Sequence, residues 1–304
     1  MIKEIKTIVL ENSKEVYRVT TPSERWYMKE RTNFLTGLPE LVGAPSVTWV
    51  TSFYPKGKQY NQWLSEHGID EAETIMKEAG NAGDKVHQAT EDLEKKGMIH
   101  CESLYLNKGI GLMEELTSDE LMAIQSYQQW RDETKWVMVA NEMTVFVTKD
   151  VSAIIDNGVG GTIDRIFIES LSDNKRQVWI VDLKTSKSIY PGHEIQISAY
   201  GMADIDYVNL GITKEEWQNR KLGILQLNYV YNKLKKYKFT EIPNQFDLFL
   251  SIARIWKKEN PNEKVKQRDF PLSIRSEWIM SRLQPAENAP IIKASSKLKT
   301  VKKS

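Results

Sequence analysis

The sequence predicts an α/β fold: a small mixed central sheet flanked by helices, preceded by a helical N-terminal region. Three observations carry this expectation. Residues 68–97 and 118–134 repeat apolar positions at helical spacing. Four runs rich in β-branched and aromatic residues follow, at 135–147, 158–170, 177–186 and 222–232. Helical stretches then stand at 192–206, between the third and fourth runs, and at 246–260, after the fourth. Helices, three strands, helix, strand, helix is the order of an α/β layer structure rather than of a bundle or a sandwich.

Taken in order, residues 1–20 alternate weakly and predict a short hairpin. The stretch "PSVTWVTSFY" (45–54) suits a strand by composition, yet its Ser-Val-Thr start equally suits a capped helix, and both readings stay open. In "GIDEAETIMKEAGNAGDKVHQATEDLEKKG" (68–97), Asp70 is expected to cap the first helical segment, and Ala72, Ile75, Met76 and Ala79 share one face. "SDELMAIQSYQQWRDET" (118–134) is an amphipathic helix with a Ser-x-x-Glu-like start. Asp173-Asn174 supplies a turn between the second and third strands. Pro261 stops the last helix. The reading is one domain over 1–290, with the helical region at about 60–134 and a core at about 135–260. Residues 291–304 are a basic tail expected to be disordered.

Composition narrows the function classes. Of 304 residues, 42 are Lys or Arg and 41 are Asp or Glu, so net charge gives no global argument for a polyanionic partner. Two local clusters are basic, "NKLKKYK" (232–238) and the tail "KASSKLKTVKKS". No apolar window of about 18 residues exists, which argues against a membrane-spanning helix, and the start lacks the pattern of a secretory signal. A single cysteine, Cys101, excludes an internal disulfide and a cysteine-ligated zinc or iron–sulfur site within one chain. A reducing, cytoplasmic setting fits.

The chemistry concentrates at "VWIVDLKTSKS" (178–188). Four apolar residues predict a buried strand, which then ends in Asp182 and Lys184. Side chains alternate along a strand, so Val178, Ile180, Asp182 and Lys184 share one face, with the last two about 7 Å apart at Cα. A carboxylate entering a core is costly unless it is paired or binds a metal. In "GGTIDRI", Gly160 and Gly161 permit a bulge or a close approach, and Asp164 follows. Two adjacent strands that each present a carboxylate near one end can converge on a hard divalent cation. Gln196 and Tyr200 are i and i+4 on a helix, and so are His87 and Glu91. Glu142 is an acid in an apolar stretch. Singly, each of these is more commonly structural; in this order they form a pattern that one structural role does not explain.

That order resembles the PD-(D/E)xK nuclease superfamily, specifically its RecB-like branch. "GGTIDRI", "VWIVDLKTSK" and "EIQISAYGMA" are similar to the three core motifs of the branch. The preceding helical region is similar to that of phage-encoded exonucleases and of the mitochondrial genome maintenance exonuclease. The resemblance spans roughly 45–260. The Pro of the Pro-Asp motif is replaced by Ile163, and the four-cysteine iron–sulfur staple of some relatives is impossible here.

The resemblance implies a restriction-endonuclease-like core and a metal-dependent deoxyribonuclease, an exonuclease of phage-type DNA recombination, repair or degradation. Structure-specific endonuclease and non-catalytic DNA-binding module are the alternatives. It implies Mg²⁺ or Mn²⁺ held by His87, Asp164, Asp182 and the Leu183 carbonyl. It implies Lys184 at the attacking water or transition state, and Glu142 as an acid bordering the site, either a second-metal ligand or a water-positioning group. Gln196 and Tyr200 are expected to hold DNA, with Arg165 and Lys187 on its phosphates. Implied partners are DNA, as single strands or duplex ends, and phage recombination or replication proteins in a host cytoplasm. The segment 227–239, with Tyr229, Tyr231 and four lysines, is expected to line the DNA path.

Overall fold

The structure is a computed structural model describing residues 4–9, 15–20, 24–32, 35, 37–172, 175–227 and 237–262. The expected turn at Asp173-Asn174, most of the basic segment 227–239 and the tail at 291–304 lie outside the described residues. Among the described residues no helix is long and apolar enough to cross a membrane.

The chain opens with four antiparallel strands in sequential order: β1 (Glu4–Val9), β2 (Glu15–Thr20), β3 (Arg25–Thr32) and β4 (Pro39–Pro45). The hairpin expected over residues 1–20 is thus half of a larger sheet. The ambiguous stretch that follows resolves as a short helix, α1 (Val47–Thr51), because the Ser46 hydroxyl accepts from the Trp49 amide at 3.0 Å and so caps the first turn.

Helix α2 (Lys58–His67) leads into α3 (Ile69–Lys96), whose 28 residues form the longest helix described. Its N-cap is Gly68, not Asp70; Asp70 and Glu71 sit in the first turn, facing the positive end of the helix dipole. Gly97, at φ 70°, ends the helix in the left-handed conformation that glycine adopts without steric cost. A two-stranded ribbon, β5 (Tyr105–Asn107) and β6 (Leu112–Glu114), interrupts what the periodicity predicts as a helical region. Helix α4 (Ser118–Thr134) begins with a reciprocal capping box between Thr117 and Glu120, one residue earlier than the Ser118 start expected.

The central sheet has five strands in the order β11-β10-β9-β8-β7. Strands β7 (Val137–Val147), β8 (Val159–Ser170) and β9 (Arg176–Lys184) form an antiparallel meander. The chain then crosses over through α5 (Pro191–Tyr200) and α6 (Lys214–Gln218), so that β10 (Lys221–Gln226) lies parallel to β9. A parallel neighbour requires such a long connection. β11 (Lys238–Ile242) returns antiparallel, and α7 (Phe246–Glu259) ends before Pro261. Helix α5 is shorter than the predicted 192–206 and stops at Gly201.

One face of β9 carries Trp179, Val181 and Leu183 into a core shared with Val86 and Ala89 of α3, Tyr127 and Trp130 of α4, and Phe167 of β8. The rings pack in the edge-to-face and offset modes aromatic quadrupoles favour: Trp130 to Phe167 at 5.1 Å, Trp136 to Trp179 at 5.3 Å. A second aromatic knot, Trp26, Trp49 and Trp256, ties β3, α1 and α7 together. The two glycines of "GGTIDRI" explain the joins between layers. A Cβ at Gly160 would lie 2.6 Å from Tyr27, and one at Gly161 would lie 2.4 Å from Tyr200. Each glycine admits a ring against the backbone of β8, one from the N-terminal sheet and one from α5.

Candidate functional site

The ladder between β8 and β9 opens at Arg165 and Val181. Beyond that rung the strands part, and the Leu183 amide, deprived of a carbonyl, donates to Asp164 Oδ2 at 2.7 Å. Asp164 therefore sits in the fork, 9% exposed, held by the backbone of the strand that carries Asp182 and Lys184. Leu183 serves here through its N–H, and its side chain belongs to the core.

Glu142 faces the same fork from β7. The register pairs Asn141 with Arg165 and Met143 with Ile163, which brackets Glu142 against Asp164. Glu142 itself has φ 50°, one of three non-glycine residues with positive φ among those described. A left-handed glutamate inside a strand costs on the order of 1–3 kcal/mol and survives only when its surroundings hold it. Arg165 holds it: Nη1 reaches Glu142 Oε1 at 3.0 Å, with Nη1 also donating to the Asp164 carbonyl at 2.7 Å and Nη2 to Thr90 Oγ1 at 3.0 Å.

His87 arrives from α3. Its Nδ1 stands 3.4 Å from Glu142 Oε1 and 3.8 Å from Asp164 Oδ1. One ligand atom from each of His87, Glu142 and Asp164 lies within 4.8 Å of the other two. Lys184 and Asp182 complete the cluster as an ion pair, Nζ to Oδ2 at 2.6 Å, with Asp182 almost fully buried.

These charges set one another's protonation. Burial disfavours an imidazolium at His87, but the Asp164 and Glu142 carboxylates outweigh it and raise its pKa to about 9. Burial, and the nearby Asp182 and Glu142 charges, raise Asp164 to about 6 against the pull of His87. Glu142 moves the other way. Its burial is overcome by the His87 hydrogen bond and by the His87 and Arg165 charges, which bring it down to about 2. Burial opposes the Lys184 charge, yet Asp182 and Asp164 more than compensate, so Lys184 stays an ammonium.

The structure thus brings together His87, Glu142, Asp164, Asp182 and Lys184, and it alters several expected roles. Glu142, expected to border the site as a second-metal ligand or a water-positioning group, stands within the three-residue group; Asp182, expected as a ligand, stands outside it and is paired with Lys184. Arg165, expected on phosphate, has no solvent exposure and is the buried counter-charge of Glu142. Tyr200, expected on DNA, is buried against Gly161, and its hydroxyl meets Gln196 Nε2 at 3.4 Å; burial raises its phenol far above the ordinary value. Gln196 stays half-buried beside it. Lys187 is exposed in the loop after β9, a loop fastened where Gln226 Nε2 donates to the Ser186 carbonyl at 3.2 Å.

Sequence reasoning missed His193. It lies in the first turn of α5, near enough to Lys184, Asp182 and Lys56 to feel their charges. Burial first, then Lys184, lowers its pKa to about 4, so it is neutral at pH 7. The signal was its place, two residues after the helix-starting Pro191 and soon after the Asp-x-Lys strand.

No protein-family model, curated protein or solved structure matches the chain. An imidazole nitrogen, once the cation displaces its proton, and two carboxylate oxygens form a donor set suited to a divalent cation. The set also fits on electrostatic grounds: three carboxylates crowd one fork, and Asp164 retains a proton more readily than an isolated carboxylate does.

Proposed function

We propose that the chain is a metal-dependent deoxyribonuclease of the PD-(D/E)xK type, with a restriction-endonuclease-like core of the RecB-like branch, acting from free DNA ends. The observation that carries this reading is the strand fork. It gathers Asp164 and the Asp182–Lys184 pair beside His87 and Glu142, at the rim of a rigid sheet. Ion pairing accounts for Lys184 with Asp182 and for His87 with the two acids; what favours a metal site is that one atom from each of His87, Glu142 and Asp164 converges within 4.8 Å on a backbone strained at Glu142.

His87, Glu142 and Asp164 would hold Mg²⁺ or Mn²⁺. Such an ion acidifies a bound water and neutralises charge on a phosphate. The remaining tasks belong to the chain. Asp182 orients the Lys184 ammonium and keeps it charged, so that a fixed cation faces the oxygens on which negative charge develops as a phosphodiester is cut. Arg165 balances the buried acids from below. Lys187 on the exposed loop and Gln196 on α5 are the groups of this set that can meet the DNA strand. His193, uncharged, can donate or accept a hydrogen bond at the rim without adding to the charge.

The test is digestion of linear and covalently closed circular single strands, and of end-labelled duplex, with Mg²⁺ or Mn²⁺. Loss of the linear molecule, survival of the circle and silence in EDTA are expected. Rapid loss of the circle would replace the exonuclease by an endonuclease. Binding of DNA without cleavage under all metals would replace the enzyme by a binding module.

A further inference from the structure

The buried guanidinium of Arg165 has a role that charge balance alone does not describe. Its Nη1 spans Glu142 Oε1 at 3.0 Å and the Asp164 carbonyl at 2.7 Å, and its Nη2 is anchored on Thr90 Oγ1 at 3.0 Å. Thr90 lies one turn beyond His87 on α3 and ties its own hydroxyl to the His87 carbonyl at 3.0 Å. One side chain therefore touches the left-handed strand residue, the backbone of the fork acid and the helix turn that bears the histidine. The three candidate ligands come from three elements of the fold, and Arg165 is bonded to all three elements.

We propose that Arg165 is a positioning residue for the metal site: it locks Glu142 in its left-handed conformation and fixes α3 against β7 and β8, so that the His87, Glu142 and Asp164 donors converge. The inference rests on reading that group as a metal site. Its Nη1 and the His87 ring both approach Glu142 Oε1, and no hydrogen bond to Oε2 occurs among the described residues. The guanidinium thus holds the carboxylate by one oxygen and leaves the other for a ligand.

Positioning and electrostatics make opposite predictions. A fixed positive charge this close to a cation repels it, so if charge were all that mattered, losing Arg165 would tighten metal binding. If position matters, losing it weakens binding. Lysine keeps the charge but lacks the planar fork that reaches Glu142, Asp164 and Thr90 together.

The experiment is a calorimetric titration of the full-length chain with Mn²⁺, with melting curves to confirm folding, for wild type, Arg165→Lys and Thr90→Val. Changes to groups that orient metal ligands ordinarily cost 10- to 100-fold in affinity. A loss of about that size is expected for Arg165→Lys, and a smaller loss for Thr90→Val, which removes a single anchor. Folded Arg165→Lys that binds Mn²⁺ as tightly as wild type, or more tightly, overturns the proposal. If Arg165→Lys does not fold, Thr90→Val decides, and unchanged affinity there overturns it. Wild-type protein that takes up no Mn²⁺ removes the metal-site reading itself, and this inference with it.

Discussion

Two ends of the same three strands behave as opposites. At one, Trp130, Trp136, Phe167 and Trp179 pack ring on ring. At the other, Asp164, Asp182, Lys184 and Arg165 are also mostly buried, yet they are held by ion pairs and hydrogen bonds: Lys184 to Asp182, Arg165 to the Asp164 carbonyl, and the Leu183 amide to Asp164. The aromatic end gains stability from each side chain it removes from water. The fork pays desolvation for each charge it buries, recovers part of it in ion pairs, and carries a strained glutamate besides. Shared strands with opposite energetics mean that one end supplies the rigidity on which the other depends.

Substitutions that trade one property for the other test this division. The largest effect is expected at Trp130, fully buried and in contact with four other rings, those of Tyr127, Trp136, Phe167 and Phe239. Trp130→Ala should destabilise the fold by about 3–5 kcal/mol, read by urea denaturation, while the cleavage rate per folded molecule stays near wild type. A rate that collapses in still-folded Trp130→Ala would break the division. Next comes Lys184→Ala. It should lower cleavage by about 10²–10³, the loss typical of one preorganised transition-state donor, with little change in melting temperature. Wild-type cleavage by Lys184→Ala would remove the residue from the proposed machinery.

A smaller, graded effect is expected from pH. In metal-free protein His87 is raised to about 9, so its stabilising contribution is complete below the unfolded value near 6.5 and is lost as pH rises through 9. Asp164 is raised to about 6, so its contribution is likewise present at low pH and lost as pH rises from about 4 through 6. Glu142, lowered to about 2, acts oppositely, but its contribution is in place above its unfolded value near 4.5 and lost only as pH falls towards 2. Melting temperature in EDTA should therefore decline between pH 5 and 9. With Mn²⁺ present the decline should flatten, because the ion takes the place of the protons. Parallel curves with and without Mn²⁺ would sever the titrating cluster from metal binding.

How much of this was legible depended on which physical rule fixed each residue. The central sheet followed from composition and alternation, because buried strands must be apolar: Val178 to Val181 announce β9 without help. Asp182 and Lys184 were legible for the same reason, as breaks in that rule. The four-stranded N-terminal sheet was not, since a weakly alternating chain pairs according to partners that no local window contains. Arg165 was misread because a lone arginine in sequence looks like surface, and only the strand register brings Glu142 to it. Tyr200 was misread because the space against Gly161 is visible in three dimensions and not in one.

The spacing of charges along β8 and β9 has a consequence for biosynthesis. Asp164 is followed at once by Arg165, and Asp182 by Lys184 two positions later, so each buried acid of these strands leaves the ribosome with a cation beside it. A nascent segment thus brings a positive charge into the sheet along with each acid, although in the folded chain only Lys184 pairs with the carboxylate beside it. Glu142 has no such escort: its partners are His87, made long before it, and Arg165, made after it. At translation speeds of about 5–20 residues per second, Glu142 waits roughly one to five seconds for its arginine. The glutamate with the strained backbone is thus also the one whose final conformation has to be imposed after synthesis has passed it.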